Sequence, residues 1–100
     1  MSLDIVKNRD GGVLEVVLSG RLDTNTSPDL EVVVKRELDG VEELVLDMAG
    51  LEYVSSAGLR VILAAHKAML AQGTMIVRSP REEIRNIFDL TGFLDILTVE

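Results

Sequence analysis

Apolar and polar positions along the chain alternate in short runs that are separated by stretches of helical period. Leu3, Ile5 and Lys7 alternate with polar neighbours, which predicts a short edge strand, and Asp10-Gly11-Gly12 turns the chain into a returning strand over Val13–Leu18. Gly20 closes this hairpin, and Arg21-Leu22-Asp23-Thr24-Asn25-Thr26 reads as a polar loop anchored by Leu22. Ser27-Pro28 then starts a helix, because proline at the first helical position gives up no N–H that the helix needs. Leu30, Val33, Val34 and Leu38 supply its apolar face, and Gly40 its end.

Leu44-Val45-Leu46 is an apolar run of the kind expected for a strand covered on both faces. Asp47 and Gly50 break it, and Leu51, Tyr53 and Val54 form a second extended segment. At Leu59 the period becomes helical: Leu59, Ile62, Leu63, His66 and Leu70 are spaced by three or four and share one face, while Arg60 and Lys67, seven apart, mark a solvent-facing one. Gln72-Gly73 stops this helix before a strand over Thr74–Val77. Ser79-Pro80-Arg81-Glu82 predicts a capping box for a third helix, with Ile84, Ile87 and Phe88 as its stripe and Thr91-Gly92 as its end. Phe93–Val99 returns as a short strand or irregular tail. Strands separated by helices of about 10–15 residues imply crossovers and a partly parallel sheet, which the opening hairpin makes mixed.

The junction between the central strand and its helix carries the candidate chemistry. Ser55 and Ser56 stand where a helix N-cap belongs, and either could accept a bond from an orphan backbone N–H, worth about 0.5–2 kcal/mol relative to alanine. The same positions suit an anion or a phosphorylation site, since free N–H groups and the helix dipole stabilise negative charge there. Gly58, one turn in, would let a partner or phosphate approach the backbone closely. Asp23 is either a turn residue bonded to its own backbone or a surface contact beside the serine loop. In open sheets with crossovers, sites tend to lie beyond the carboxyl ends of the strands, where this loop falls.

Composition narrows the function. One hundred residues make one domain, residues 1–100, that buries roughly 60–68% of the surface of its unfolded chain. Only three residues are aromatic, so the core rests on Val, Leu, Ile, Ala and Met, and a nucleic-acid stacking surface is not expected. The net charge of −7 repels phosphate backbones and anionic membranes, which leaves a protein as the expected partner. The absence of cysteine excludes disulfides, thiolate chemistry and cysteine-based zinc sites. The first residues lack the apolar core of a signal peptide, and no apolar run approaches the roughly 20 residues of a membrane helix, so a soluble, cytoplasmic protein without membrane insertion is expected.

Enzyme readings fare poorly. His66, ten residues beyond Ser56, would lie about 15 Å along a continuous helix, too far for a general base, and it fits the edge of the apolar stripe better than a site. Val54 occupies the position where a nucleophile elbow needs glycine, and no Gly-x-x-x-x-Gly-Lys motif is present. Asp23 and Asp47 lack a third ligand, so neither a metal nor another cofactor is expected.

Leu46-Asp47, Leu51, Tyr53, Ser55-Ser56-Ala57-Gly58-Leu59-Arg60 and Val61-Ile62-Leu63 together resemble the signature of the STAS domain, the fold of bacterial anti-sigma factor antagonists. Gly20-Arg21-Leu22-Asp23 matches that family's earlier loop and Thr91-Gly92-Phe93 its later one, so the resemblance runs through nearly the whole chain. It implies an α/β domain with a mixed four- to five-stranded sheet packed with helices. The family string Asp-Ser-Ser/Thr-Gly-Leu is Ser55-Ser56-Ala57-Gly58-Leu59 here, which puts the phosphorylated serine at Ser56. By resemblance, Asp23 lies beside the acceptor and helps contact the partner, an anti-sigma factor serine kinase, and a PP2C-type phosphatase restores binding. With Ser55, Ser56 and Gly58, Asp23 makes up the expected partner surface, to which Arg60, pointing off the apolar stripe, adds either a partner contact or a solvated surface charge. The alternative is a STAS scaffold or regulatory subunit of a transporter or stress-signalling complex.

Overall fold

The computed structural model describes residues 2–100. Five strands and three α-helices follow in the order β1 (Leu3–Asp10), β2 (Val13–Leu22), α1 (Ser27–Arg36), β3 (Glu43–Val54), α2 (Ser56–Leu70), β4 (Thr74–Arg78), α3 (Glu82–Thr91) and β5 (Thr98–Val99), with a single 3₁₀ turn at Phe93–Asp95. Strand order in the sheet is β1-β2-β3-β4-β5. The β1–β2 hairpin is antiparallel and the remaining pairs are parallel, so the sheet is mixed, as the pattern predicts.

The three crossovers step the same way along the sheet, and connections of one hand carry all three helices to one face. Burial agrees. On β2, Leu14, Val16 and Leu18 are buried while Glu15, Val17 and Ser19 are only partly covered. The core fills the space between this face and the helices: Leu44, Leu46 and Met48 from β3, Ile62, Ala65 and Met69 from α2, and Ile84 and Phe88 from α3. Across the other face Arg78 joins three strands, pairing with Glu15 of β2 and with Asp47 of β3 at 3.1 Å.

Several elements depart from the sequence reading, each for a physical reason. β2 runs on to Leu22 because Gly20 adopts φ +101° within the strand; a Cβ there would lie 2.3 Å from the Ser2 carbonyl oxygen. β3 is one strand and not two. From Val17 to Leu22 β2 advances five residues, while from Asp47 to Val54 its partner advances seven, so β3 absorbs two extra residues as bulges. The bulges rephase the strand, which buries Met48, Leu51 and Val54 in turn. α1 ends at Arg36, and Gly40 (φ +75°) shapes the turn after it.

The capping box at Ser79 does not form. Ser79 sits at φ +56° and donates its N–H to the Glu100 carbonyl, which holds it beside the last strand, and α3 starts at Glu82 with no side-chain cap. On α2 the buried stripe is Gly58, Leu59, Val61, Ile62, Ala65 and Met69; Leu70 is 70% exposed and Leu63 and His66 are half-buried, so the helix is rotated from the predicted face.

Candidate functional site

Leu22 and Val54, the last residues of β2 and β3, are paired in the sheet, so the segments that follow them leave the same edge together. A backbone bond joins the two exits: the Ser55 N–H donates to the Leu22 carbonyl at 2.9 Å. Ser55 has extended backbone (φ −93°, ψ 174°) and its Oγ accepts from the Gly58 N–H at 3.2 Å, so Ser55 is the N-cap of α2. Ser56 is the first helical residue, is exposed, and its hydroxyl makes no hydrogen bond within the described residues.

The other exit is organised by Asp23. Its Oδ1 accepts from the backbone N–H groups of Asn25 and Thr26, each at 3.0 Å. The Thr26 hydroxyl reciprocates, accepting from the Asp23 N–H at 2.9 Å and donating to the Arg21 carbonyl at 2.8 Å. This is the reciprocal bonding of a capping box set one turn ahead of α1, and the Asp-x-x-Thr spacing of Asp23 and Thr26 is its signal in the sequence. The N–H of Thr26 holds the Asp23 carboxyl below its usual range, helped by Asn25 and by Arg21, whose Nε lies 3.9 Å from Oδ2, while partial burial opposes the shift. Arg21 is itself fixed, its guanidinium 4.1 Å above the Tyr53 ring. Asp23 is therefore a turn residue bonded to its own backbone.

Between these loops α1 and α2 enclose a cleft of about 250 Å³. Thr24 and Glu31 line it from the α1 side, Ala57 and Arg60 from α2. Arg60 is exposed, as its position off the apolar stripe predicts. The structure thus brings Asp23, Ser55, Ser56 and Arg60 to one end of the molecule, and adds Thr24 and Glu31, whose types carry no signal in sequence. Gly58 does not join them. It is buried, and a Cβ on it would meet Leu22 Cγ at 2.7 Å and Val54 Cγ2 at 2.9 Å. Glycine is needed there so that α2 can close on β2 and β3, which corrects the expectation of approach by a partner or phosphate.

His66 lies toward the other end of α2, beside a second cleft of about 160 Å³ with Met69, Leu70 and Thr98. Among the described residues no group of three or more His, Asp or Glu is placed to hold a metal ion, and no helix is long and apolar enough to cross a membrane.

The family model for the STAS domain matches residues 4–100. The chain belongs to the STAS domain family. Among its relatives, the protein BtrV of Bordetella bronchiseptica, named as an anti-sigma factor antagonist, is 31% identical over 99 residues, covering 97% of this chain and 85% of the relative. The anti-sigma-B factor antagonist of Staphylococcus epidermidis is 30% identical over 101 residues, covering 99% of this chain and 94% of the relative. The crystal structure of an anti-sigma factor antagonist from Mycobacterium paratuberculosis superposes with a TM-score of 0.88 at 25% identity, covering 98% of this STAS chain and 85% of that one. The α/β fold with its five-stranded mixed sheet is the fold of these STAS relatives.

Proposed function

We propose that this STAS protein is a cytoplasmic anti-sigma factor antagonist: it binds an anti-sigma factor serine kinase, frees the sigma factor, and is switched off by phosphorylation at Ser56. It acts as a regulatory binding protein and not as an enzyme, in keeping with relatives that are named as antagonists. A PP2C-type phosphatase would return it to the binding form.

The observation that carries the assignment is the division of labour between adjacent hydroxyls. Ser55 Oγ is engaged by the Gly58 N–H as the cap, whereas Ser56 is exposed on the first turn of α2. A phosphate on Ser56 adds about −1.5 to −2 charges at neutral pH, next to the Asp23 loop and on a chain already at −7. Each 1.4 kcal/mol of unfavourable interaction costs a tenfold loss of affinity, so a local charge change suffices to release a partner without refolding the domain.

Incubation of wild type, Ser55→Ala and Ser56→Ala with the anti-sigma factor kinase and ATP, followed by intact mass, tests the acceptor. One phosphate is expected on wild type and on Ser55→Ala, and none on Ser56→Ala. Labelling that persists in Ser56→Ala and disappears in Ser55→Ala would overturn the assignment.

A further inference from the structure

Resting on the reading of Ser56 as the phosphoacceptor, we infer that Arg60 is the positioning residue that holds the phosphorylated side chain at the head of α2. Ser56 and Arg60 are four apart on one helix, which sets their Cβ atoms about 5–6 Å apart on the same face. Helical side chains lean toward the N-terminus, so a long side chain at position 60 is directed back over the first turn. The order of the pair, acid N-terminal to base, is the favourable one for an i,i+4 ion pair.

Arg60 is available for this role. It is exposed, and within the described residues its guanidinium makes no hydrogen bond or ion pair. The carboxylate across the cleft, Glu31, lies 3.7 Å from Lys35 on its own helix. Arg21, a second cation at this end, is held against Tyr53 and Asp23. Ala57 is the small cleft-lining residue between Ser56 and Arg60 in sequence. A guanidinium fork matches two phosphate oxygens, a geometry that a lysine ammonium cannot reproduce. The modification would therefore occupy the free cation of the cleft as well as add negative charge.

The test installs phosphoserine at position 56 by genetic code expansion, so that it does not depend on any kinase, and follows its second ionisation by phosphorus NMR. The pKa of a phosphoserine is about 6. In wild type it should lie lower than in Arg60→Ala by about 0.3 unit or more, a gap that narrows as salt is raised. Lys67→Ala removes the same charge about 16 Å along the helix from position 56 and should leave the titration unchanged. Superimposable curves for wild type and Arg60→Ala, or an equal shift in Lys67→Ala, would overturn the inference. Failure of the kinase to label Ser56 would instead unseat the proposed acceptor and leave this titration interpretable.

Discussion

Position 58 shows how one residue can be assigned the right importance for the wrong reason. Its place one turn into a helix suggests close approach from outside, but the nearest atoms to a Cβ there are Leu22 Cγ and Val54 Cγ2, both inside the core. Gly58→Ala gains up to roughly 1 kcal/mol of helix propensity and loses about 1–3 kcal/mol to overpacking, so a net destabilisation of up to about 2 kcal/mol is expected in urea unfolding. A variant more stable than wild type would show that α2 sits farther from the sheet. Ser55 illustrates the converse: a serine ahead of an apolar helical run is legible as a cap, and it caps. For Asp23 the reciprocal bonds with Thr26 show the turn role, with Oδ1 engaged by local N–H groups.

Elements were legible where the period was long and the punctuation strong. The three helices, the hairpin and the parallel strands all follow from spacing and glycine positions. Boundaries and faces were less so. The rotation of α2 is decided by which residues meet the sheet, and Met69 and Leu70, adjacent and both apolar, separate completely: Met69 is 1% exposed and Leu70 70%. Met69→Ala should cost about 2–5 kcal/mol, whereas Leu70→Ala should stay within about 0.5 kcal/mol, as chemical denaturation would report. Similar losses in the two variants would mean that the helix is turned toward the predicted face. On β3 the break read at Asp47–Gly50 is real chemistry without a real end: the Ala49 N–H donates to Asp47 Oδ1 at 3.0 Å and the strand bulges but continues.

At the scale of the whole molecule, an acidic chain keeps two of its carboxylates unusually easy to ionise. Hydrogen bonding to Arg78, then to Asn8, lowers the Glu15 carboxyl from its ordinary 4.5, and local N–H groups lower Asp23 from 3.8. A carboxyl depressed in the folded state contributes stability that is present above its unfolded pKa and lost as pH falls through the folded value. The urea midpoint should therefore drop as pH is lowered through about 4 toward 3, and Arg78→Gln should flatten the part that belongs to Glu15. A midpoint unchanged between neutral pH and pH 3 would contradict both assignments.

What the sequence determined by itself is what local physics can decide: a mixed α/β sheet, the helix starts at Ser27 and near Ser55, the αL end at Gly92, the exposure of Arg60, and the family motif around Ser56. Tertiary structure decided the rest. The bulges in β3, the extension of β2 through Gly20, the loss of the Ser79 cap to Glu100 and the burial of Gly58 all depend on a partner far along the chain. So does the site, since Asp23 and Ser55 are 32 residues apart in sequence and meet only because Leu22 pairs with Val54. Periodicity reports which side of an element is apolar; it carries no information about the register in which two elements dock, and that register is what places these side chains together.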